Sequence, residues 1–133
     1  MVLGIGTDIL RIDRIFPKAL KDNDPFLNKS FTQAEKTEAG VRLNPKDYYA
    51  SRFVAKEAVY KAISFSGCTF CPQEIEVLND ANGQSFVNLY GRTKECMVVY
   101  LSEGVVIRVS ISYEREYVIA FAIVESTERG RKQ

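Results

Sequence analysis

Two apolar, β-branched runs near the end of the chain, Val105-Val106-Ile107-Arg108-Val109-Ser110-Ile111-Ser112 and Tyr117-Val118-Ile119-Ala120-Phe121-Ala122-Ile123-Val124, are separated by only four residues. Their composition suits strands, and so short a connection, Tyr113-Glu114-Arg115-Glu116, makes them a central antiparallel pair. Glu74-Ile75-Glu76-Val77-Leu78 also alternates, and Asn82-Gly83 is a hairpin signal before Ser85-Phe86-Val87-Asn88-Leu89. The first half reads differently. Met1 to Ile9 alternates as a strand with Asp8 at its end, and Gly4 and Gly6 suit a close approach by another backbone. Leu10 to Leu20 has helical spacing broken by Pro17, and Asp22-Asn23-Asp24-Pro25 reads as a turn. Thr32 and Glu35 form a capping box for a helix ending near Gly40. Asn44 caps, and Pro45 opens, the longest helix, which runs to about Ser66 before Gly67; Gly91 to Leu101 reads as another helix. The expectation is an α+β fold, one long helix and shorter helices packed on a mainly antiparallel sheet. At 133 residues a single domain over 1–126 is expected, followed by a polar, basic tail over 127–133.

Charge and residue usage narrow the chemistry. Eighteen Lys and Arg oppose 17 Asp and Glu, so no global basic field calls for nucleic acid. No apolar run reaches the roughly 20 residues that span a bilayer, and the N-terminus lacks the features of a secretion signal. Three cysteines, Cys68, Cys71 and Cys96, are too few for a disulfide scaffold and point to a reducing cytoplasm. Histidine is absent altogether, which removes Ser-His-Asp and Cys-His nucleophiles and any His general base. Chemistry on a hard cation held by carboxylates becomes the leading enzyme class.

In the longest helix, Val54, Ala55, Ala58, Val59, Ala62 and Phe65 form one stripe and read as the core face. Arg52, Lys56, Glu57 and Lys61 occupy the other half, with Phe53 and Tyr60 among them. A solvated face with one Glu57–Lys61 pair is the simpler account of the charges; a site with one carboxylate for a metal and cations for phosphates is the alternative. The two aromatics point to a face that meets another surface. Arg11, Arg14, Lys18 and Lys21 align on one face of the first helical segment.

Gly4-Ile5-Gly6-Thr7-Asp8-Ile9, Phe31-Thr32-Gln33-Ala34-Glu35 and the run Arg52-Phe53-Val54-Ala55-Lys56-Glu57-Ala58-Val59-Tyr60-Lys61-Ala62 resemble, in order, the signature blocks of the holo-acyl-carrier-protein synthases. These are the small bacterial type of 4′-phosphopantetheinyl transferase. The Asn82-Gly83 turn and Val109-Ser110-Ile111-Ser112-Tyr113 resemble the later blocks, although Tyr113 stands where the family usually carries a histidine.

The resemblance implies transfer of 4′-phosphopantetheine from coenzyme A to a serine of apo-acyl carrier protein, releasing adenosine 3′,5′-bisphosphate in support of fatty acid synthesis. It implies magnesium on Asp8 and Glu57, with Glu57 and Lys61 as catalytic residues. Coenzyme A contacts fall on Arg52, Lys56, Lys61, Asn82, Gly83 and Ser112, with an ion-pair role equally open to Lys56. Contacts to the carrier protein fall on Arg14, supported by Arg11. A homotrimer with sites between subunits is implied as well. A catalytically weak relative that only binds coenzyme A or a carrier protein is the alternative.

Overall fold

The computed structural model describes residues 1–16, 21 and 24–127. Its elements run β1 (Val2–Arg11), α1 (Ile12–Ile15), α2 (Pro25–Ser30), α3 (Gln33–Gly40), α4 (Pro45–Ile63), two 3₁₀ turns (Ser64–Ser66 and Pro72–Glu74), β2 (Ile75–Asn79), β3 (Ser85–Leu89), α5 (Gly91–Ser102), β4 (Val105–Glu114) and β5 (Tyr117–Ser126). The fold is α+β with antiparallel strands throughout, divided into a three-stranded sheet in the order β1-β5-β4 and a separate β2-β3 hairpin.

β5 is central because it alone pairs on both sides, facing β1 through pairs such as Asp8↔Ala120 and β4 through Ile111↔Ala120. Its side chains alternate between faces. Val118, Ala120, Ala122 and Val124 are buried beneath α4, while Phe121 and Ile123 point outward. The core is completed by the α4 stripe of Val54, Ala55, Ala58, Val59 and Ala62, as its spacing predicts. Phe65 departs from that stripe: it follows the end of α4, is 41% exposed, and packs edge-on against Tyr100 of α5.

The local signals hold where the stabilising contacts are local. Thr32 and Glu35 form the reciprocal capping box of α3, and Asn44 accepts from the Asp47 amide with Pro45 at the first helical position of α4. Gly67 ends the following 3₁₀ turn at φ +81°, a conformation suited to glycine.

The first helical segment requires correction. Leu10 and Arg11 are the last residues of β1, paired with Val118 and Tyr117, and among the described residues of this segment the helix covers Ile12–Ile15. A ladder to residues more than 100 positions away overrides the local helical spacing. Arg11 and Arg14 therefore do not share a helical turn, and Arg11 pairs with Asp13 at 3.0 Å. The proposed break at Pro17, Lys18, the turn residues Asp22 and Asn23, and tail residues 128–133 lie outside the described residues. Asp24 caps α2 by accepting from the Phe26 amide, with Pro25 at its first position, so a helix starts where sequence suggested only a turn.

Candidate active site

The glycines of β1 determine how closely α4 can approach. A Cβ on Gly4 would lie 1.9 Å from the Ala62 carbonyl oxygen, and one on Gly6 would lie 2.0 Å from that of Ala58. Only hydrogen fits at either position, so the α4 backbone rests directly on the strand. Asp8, two residues beyond Gly6, consequently meets Glu57 and Lys61 at the edge of this crossing.

Lys61 Nζ donates to the Thr7 carbonyl at 2.9 Å and to Asp8 Oδ1 at 3.3 Å. Asp8 is 18% exposed and Lys61 52% exposed at the side chain, so the ammonium is open to an incoming ligand. The Glu57 carboxyl lies within hydrogen-bonding contact of Asp8. Burial raises its pKa to about 7, the hydrogen bond and negative charge of Asp8 add to the rise, and Lys61 opposes it. Two carboxylates that crowd one another this closely fit a divalent cation, which would relieve their repulsion. No group of three or more Asp, Glu, His or Cys side chains suited to a metal occurs among the described residues. Magnesium nevertheless commonly uses one or two carboxylates and fills its octahedron with water and phosphate oxygens. The donor set fits.

The remaining candidates separate into distinct environments. Arg52 is 5% exposed; its Nη1 donates to the Val77 carbonyl at 3.3 Å and Asn79 Oδ1 at 3.2 Å, while Nε donates to Ser51 Oγ. Burial pushes its pKa down, against the favourable field of Tyr48. It lines a cleft of about 380 Å³ that also receives Gly83, Ser110 and Tyr113. Asn82 is exposed in the same 80–84 turn, where Asp80 Oδ1 accepts from the Asn82 and Gln84 amides and Gly83 adopts φ +82°. Ser112 is exposed on β4 opposite Ile119, on the sheet face turned away from α4.

Lys56 corrects the reading of α4 as a helix with one charged face. Its side chain is fully buried, and Nζ donates to Glu35 Oε1 at 2.7 Å, the Pro72 carbonyl at 2.9 Å and the Ile75 carbonyl at 2.6 Å. All three ammonium hydrogens have protein acceptors. The coenzyme-contact reading of Lys56 gives way to the ion-pair reading. Phe53 and Tyr60 are likewise covered within the chain, by Phe26, Phe31 and Phe70 for the first and Phe70 for the second.

Arg52 and Glu57 are five residues apart, about 140° around the helix at 100° per residue. Arg52 accordingly reaches β2, while Glu57 and Lys61 meet β1. Sequence reasoning missed Arg42 and Tyr48, which line the Arg52 cleft. The available signal was the i,i+4 spacing of Tyr48 and Arg52, which stacks the guanidinium over the ring at 4.7 Å.

This arrangement has close counterparts among known proteins. Residues 4–122 match the model of the 4′-phosphopantetheinyl transferase superfamily. The holo-[acyl-carrier-protein] synthase of Clostridium novyi is 37% identical over 130 residues, covering 98% of this chain and 92% of the relative. The crystal structure of holo-ACP-synthase from Plasmodium yoelii superposes with a TM-score of 0.78 at 32% identity, covering 96% of this chain and 98% of that one. A Chronobacterium ammoniagenes ACPS–CoA complex gives a TM-score of 0.75 at 25% identity, with 94% and 98% coverage. Given this end-to-end agreement in sequence and fold, the chain belongs to the 4′-phosphopantetheinyl transferase superfamily.

Proposed function

We propose that the protein transfers the 4′-phosphopantetheine group of coenzyme A to a serine of apo-acyl carrier protein, releasing adenosine 3′,5′-bisphosphate, in support of fatty acid synthesis. The observation carrying this reading is the convergence of Asp8, Glu57 and Lys61 from β1 and α4. Asp8 and Glu57 would hold magnesium, which when bound supplies charge neutralisation at the pyrophosphate. Lys61 adds a second positive charge with a half-exposed ammonium. The carrier serine hydroxyl gives up its proton to solvent as its oxygen forms a bond to the phosphorus bearing the pantetheine arm. The bond from that phosphorus to the bridging oxygen breaks, and the electron pair leaves with adenosine 3′,5′-bisphosphate. Such a displacement depends on alignment and charge stabilisation and needs no covalent enzyme intermediate.

The separation of Arg52 and Gly83 from Glu57 and Lys61 around α4 favours a coenzyme site completed by a second copy of the chain. A homotrimer fits this reading, and the outward face of the three-stranded sheet offers Ile5, Ile9, Phe121 and Ile123 for its contacts. Arg14, exposed on α1, is the first choice for contact with an acidic carrier protein, with Arg11 beside it at the end of β1. No helix among the described residues is long and apolar enough to cross a membrane, and Cys68, Cys71 and Cys96 are free thiols suited to the cytoplasm.

Incubation with coenzyme A, magnesium and apo-carrier protein, followed by intact mass spectrometry of both proteins, tests the reaction. The carrier should gain one phosphopantetheine group while this chain stays unmodified. A carrier that binds but gains no mass would identify a binding module instead. An adduct on this chain would refute direct transfer.

A further inference from the structure

Cys68 follows the glycine that ends the Ser64–Ser66 turn and Cys96 lies on α5, yet the fold brings their thiols into contact. Cys68 is 7% exposed. Its sulfur is in hydrogen-bonding contact with Ser66 Oγ at 2.9 Å and donates to the Thr93 carbonyl at 3.8 Å, in the first turn of α5. Thr93 and Cys96 are three residues apart and share a helical face, so the Cys96 thiol stands beside the sulfur that touches Thr93. Burial raises the Cys68 pKa, the Ser66 contact opposes the rise, and the hydrogen bond and charge of Cys96 add to it.

The sequence pattern Cys68-Thr69-Phe70-Cys71 would pair Cys68 with Cys71 instead. The fold does not follow it. Cys71 precedes the Pro72–Glu74 turn, and its sulfur makes no hydrogen bond among the described residues. Nor do the three sulfurs, with any neighbouring carboxylate, converge as a metal-binding group among those residues. The two halves of the Cys68–Cys96 pair are held together from both sides. Phe65 packs edge-on against Tyr100 at 4.9 Å, and Glu74 accepts from the Thr93 amide at 3.1 Å and hydroxyl at 2.8 Å. The thiols differ in exposure: Cys96 is partly exposed, whereas Cys68 is buried. One can meet an oxidant from solvent, and the other can meet only its neighbour.

We propose that Cys68 and Cys96 form an oxidation site for a hydroperoxide, with Cys96 the thiol that meets the oxidant and Cys68 the one that closes a disulfide. The Cys96 sulfur attacks one peroxide oxygen, the O–O bond breaks, and the displaced oxygen leaves as water or alcohol with the thiol proton. Cys96 becomes a sulfenic acid, oxidised by two electrons as the peroxide is reduced. The Cys68 sulfur then attacks the Cys96 sulfur; the S–O bond breaks, the S–S bond forms, and the hydroxyl leaves as water with the Cys68 proton. Contact between the two sulfurs makes this second step intramolecular, which offsets the reluctance of the buried Cys68 to ionise. The product ties the 3₁₀ turn after α4 to α5 and keeps Cys96 from further oxidation. The site stands apart from the transferase reading, since the groups acting on Cys68 are Ser66, Cys96 and Glu74 rather than Asp8, Glu57 or Lys61.

Treatment of the full chain with hydrogen peroxide in modest excess, followed by thiol alkylation, non-reducing digestion and mass spectrometry, tests the assignment. Wild type, Cys68→Ala, Cys71→Ala and Cys96→Ala are compared. Wild type should lose the mass of two hydrogens and yield a crosslinked peptide pair joining Cys68 to Cys96, with Cys71 alkylated. Cys71→Ala should behave in the same way, and Cys96→Ala should give no crosslink. In Cys68→Ala the sulfenic acid has no resolving thiol, so a dione probe should label Cys96 several-fold more than in wild type. Oxidised wild type should melt several degrees above the reduced protein, because the bond constrains the unfolded chain, and a thiol reductant should reverse the shift. Mapping of wild type decides the outcome even where a variant does not fold. A crosslink through Cys71, a disulfide only between two chains, or Cys96 driven to the sulfinic acid with Cys68 still free would overturn the proposal. So would thiols that peroxide leaves intact, or a crosslinked protein that melts below the reduced one.

Discussion

Gly6 lies against Ala58 so closely that a methyl group on the glycine would sit 2.0 Å from the helix carbonyl oxygen. That contact sets the distance between β1 and α4, and with it the meeting of Asp8 with Glu57. Gly6→Ala must push strand and helix apart. The expected cost is about 1–3 kcal/mol of stability from overpacking, with a larger proportional loss of transfer activity because the carboxylates separate. Urea denaturation and a transfer assay on the same preparation check both effects. Full activity with an unchanged midpoint would show that the crossing tolerates the displacement.

Lys56 is predicted to act through stability. Lys56→Met leaves Glu35 buried without its cation and should cost about 3–5 kcal/mol in unliganded protein. Denaturant midpoints measured without coenzyme isolate this effect from ligand binding. A variant as stable as wild type but weak in coenzyme binding would restore Lys56 to the substrate site.

Glu57 gives a pH dependence whose sign follows from its raised pKa. The contribution of its protonated form is fully present below the ordinary carboxylate value of 4.5 and is lost as pH rises through about 7. In the absence of divalent ions, Glu57→Gln should therefore gain stability relative to wild type between pH 5 and 8. Magnesium should stabilise wild type more at pH 8 than at pH 5, since it requires ionised ligands, and should have little effect on the variant. Paired thermal melts across that range measure both differences. Parallel curves for the two proteins would remove Glu57 from the metal site.

How much of this was legible in the sequence depended on how far away the deciding contact lay. The α3 capping box and the opening of α4 rest on residues three or fewer apart, and both read correctly. Gly4 and Gly6 signalled a close backbone approach, although the sequence did not say which backbone. Leu10 and Arg11 misled because their partners lie on β5. Arg52 and Lys56 looked solvent-facing on a helical projection, yet the hairpin and α3 bring Val77, Asn79 and Glu35 over them. A wheel for one helix cannot show what covers its polar side.

Carrier recognition should depend on local charge, since the whole chain carries only +1. Arg14→Glu on the exposed side of α1 should raise KM for carrier protein and flatten its salt dependence, with coenzyme A binding little changed. Steady-state kinetics at two ionic strengths provide the measurement. An unchanged carrier KM with weakened coenzyme binding would move Arg14 to the nucleotide site.

The outward face of the β1-β5-β4 sheet makes the sharpest prediction about assembly. Ile5 pairs across the ladder with Ile123, and Thr7 with Phe121, so the exposed apolar groups are contiguous rather than scattered. Ile5 is 71% and Phe121 53% exposed, a poor arrangement for an isolated chain in water. Phe53 and Tyr60, by contrast, already pack on aromatic neighbours within the chain. Phe121→Asp places a charge in the centre of the outward patch without entering the core beneath α4. It should convert a trimer to a folded monomer in light scattering and abolish transfer, because the Arg52 side of one chain would lose the Lys61 side of the next. Val99→Asp, at a similarly exposed apolar position on α5, serves as the control and should leave assembly intact. A Phe121→Asp protein that remains trimeric would exclude this face as the interface, and an active monomer would exclude the shared site itself.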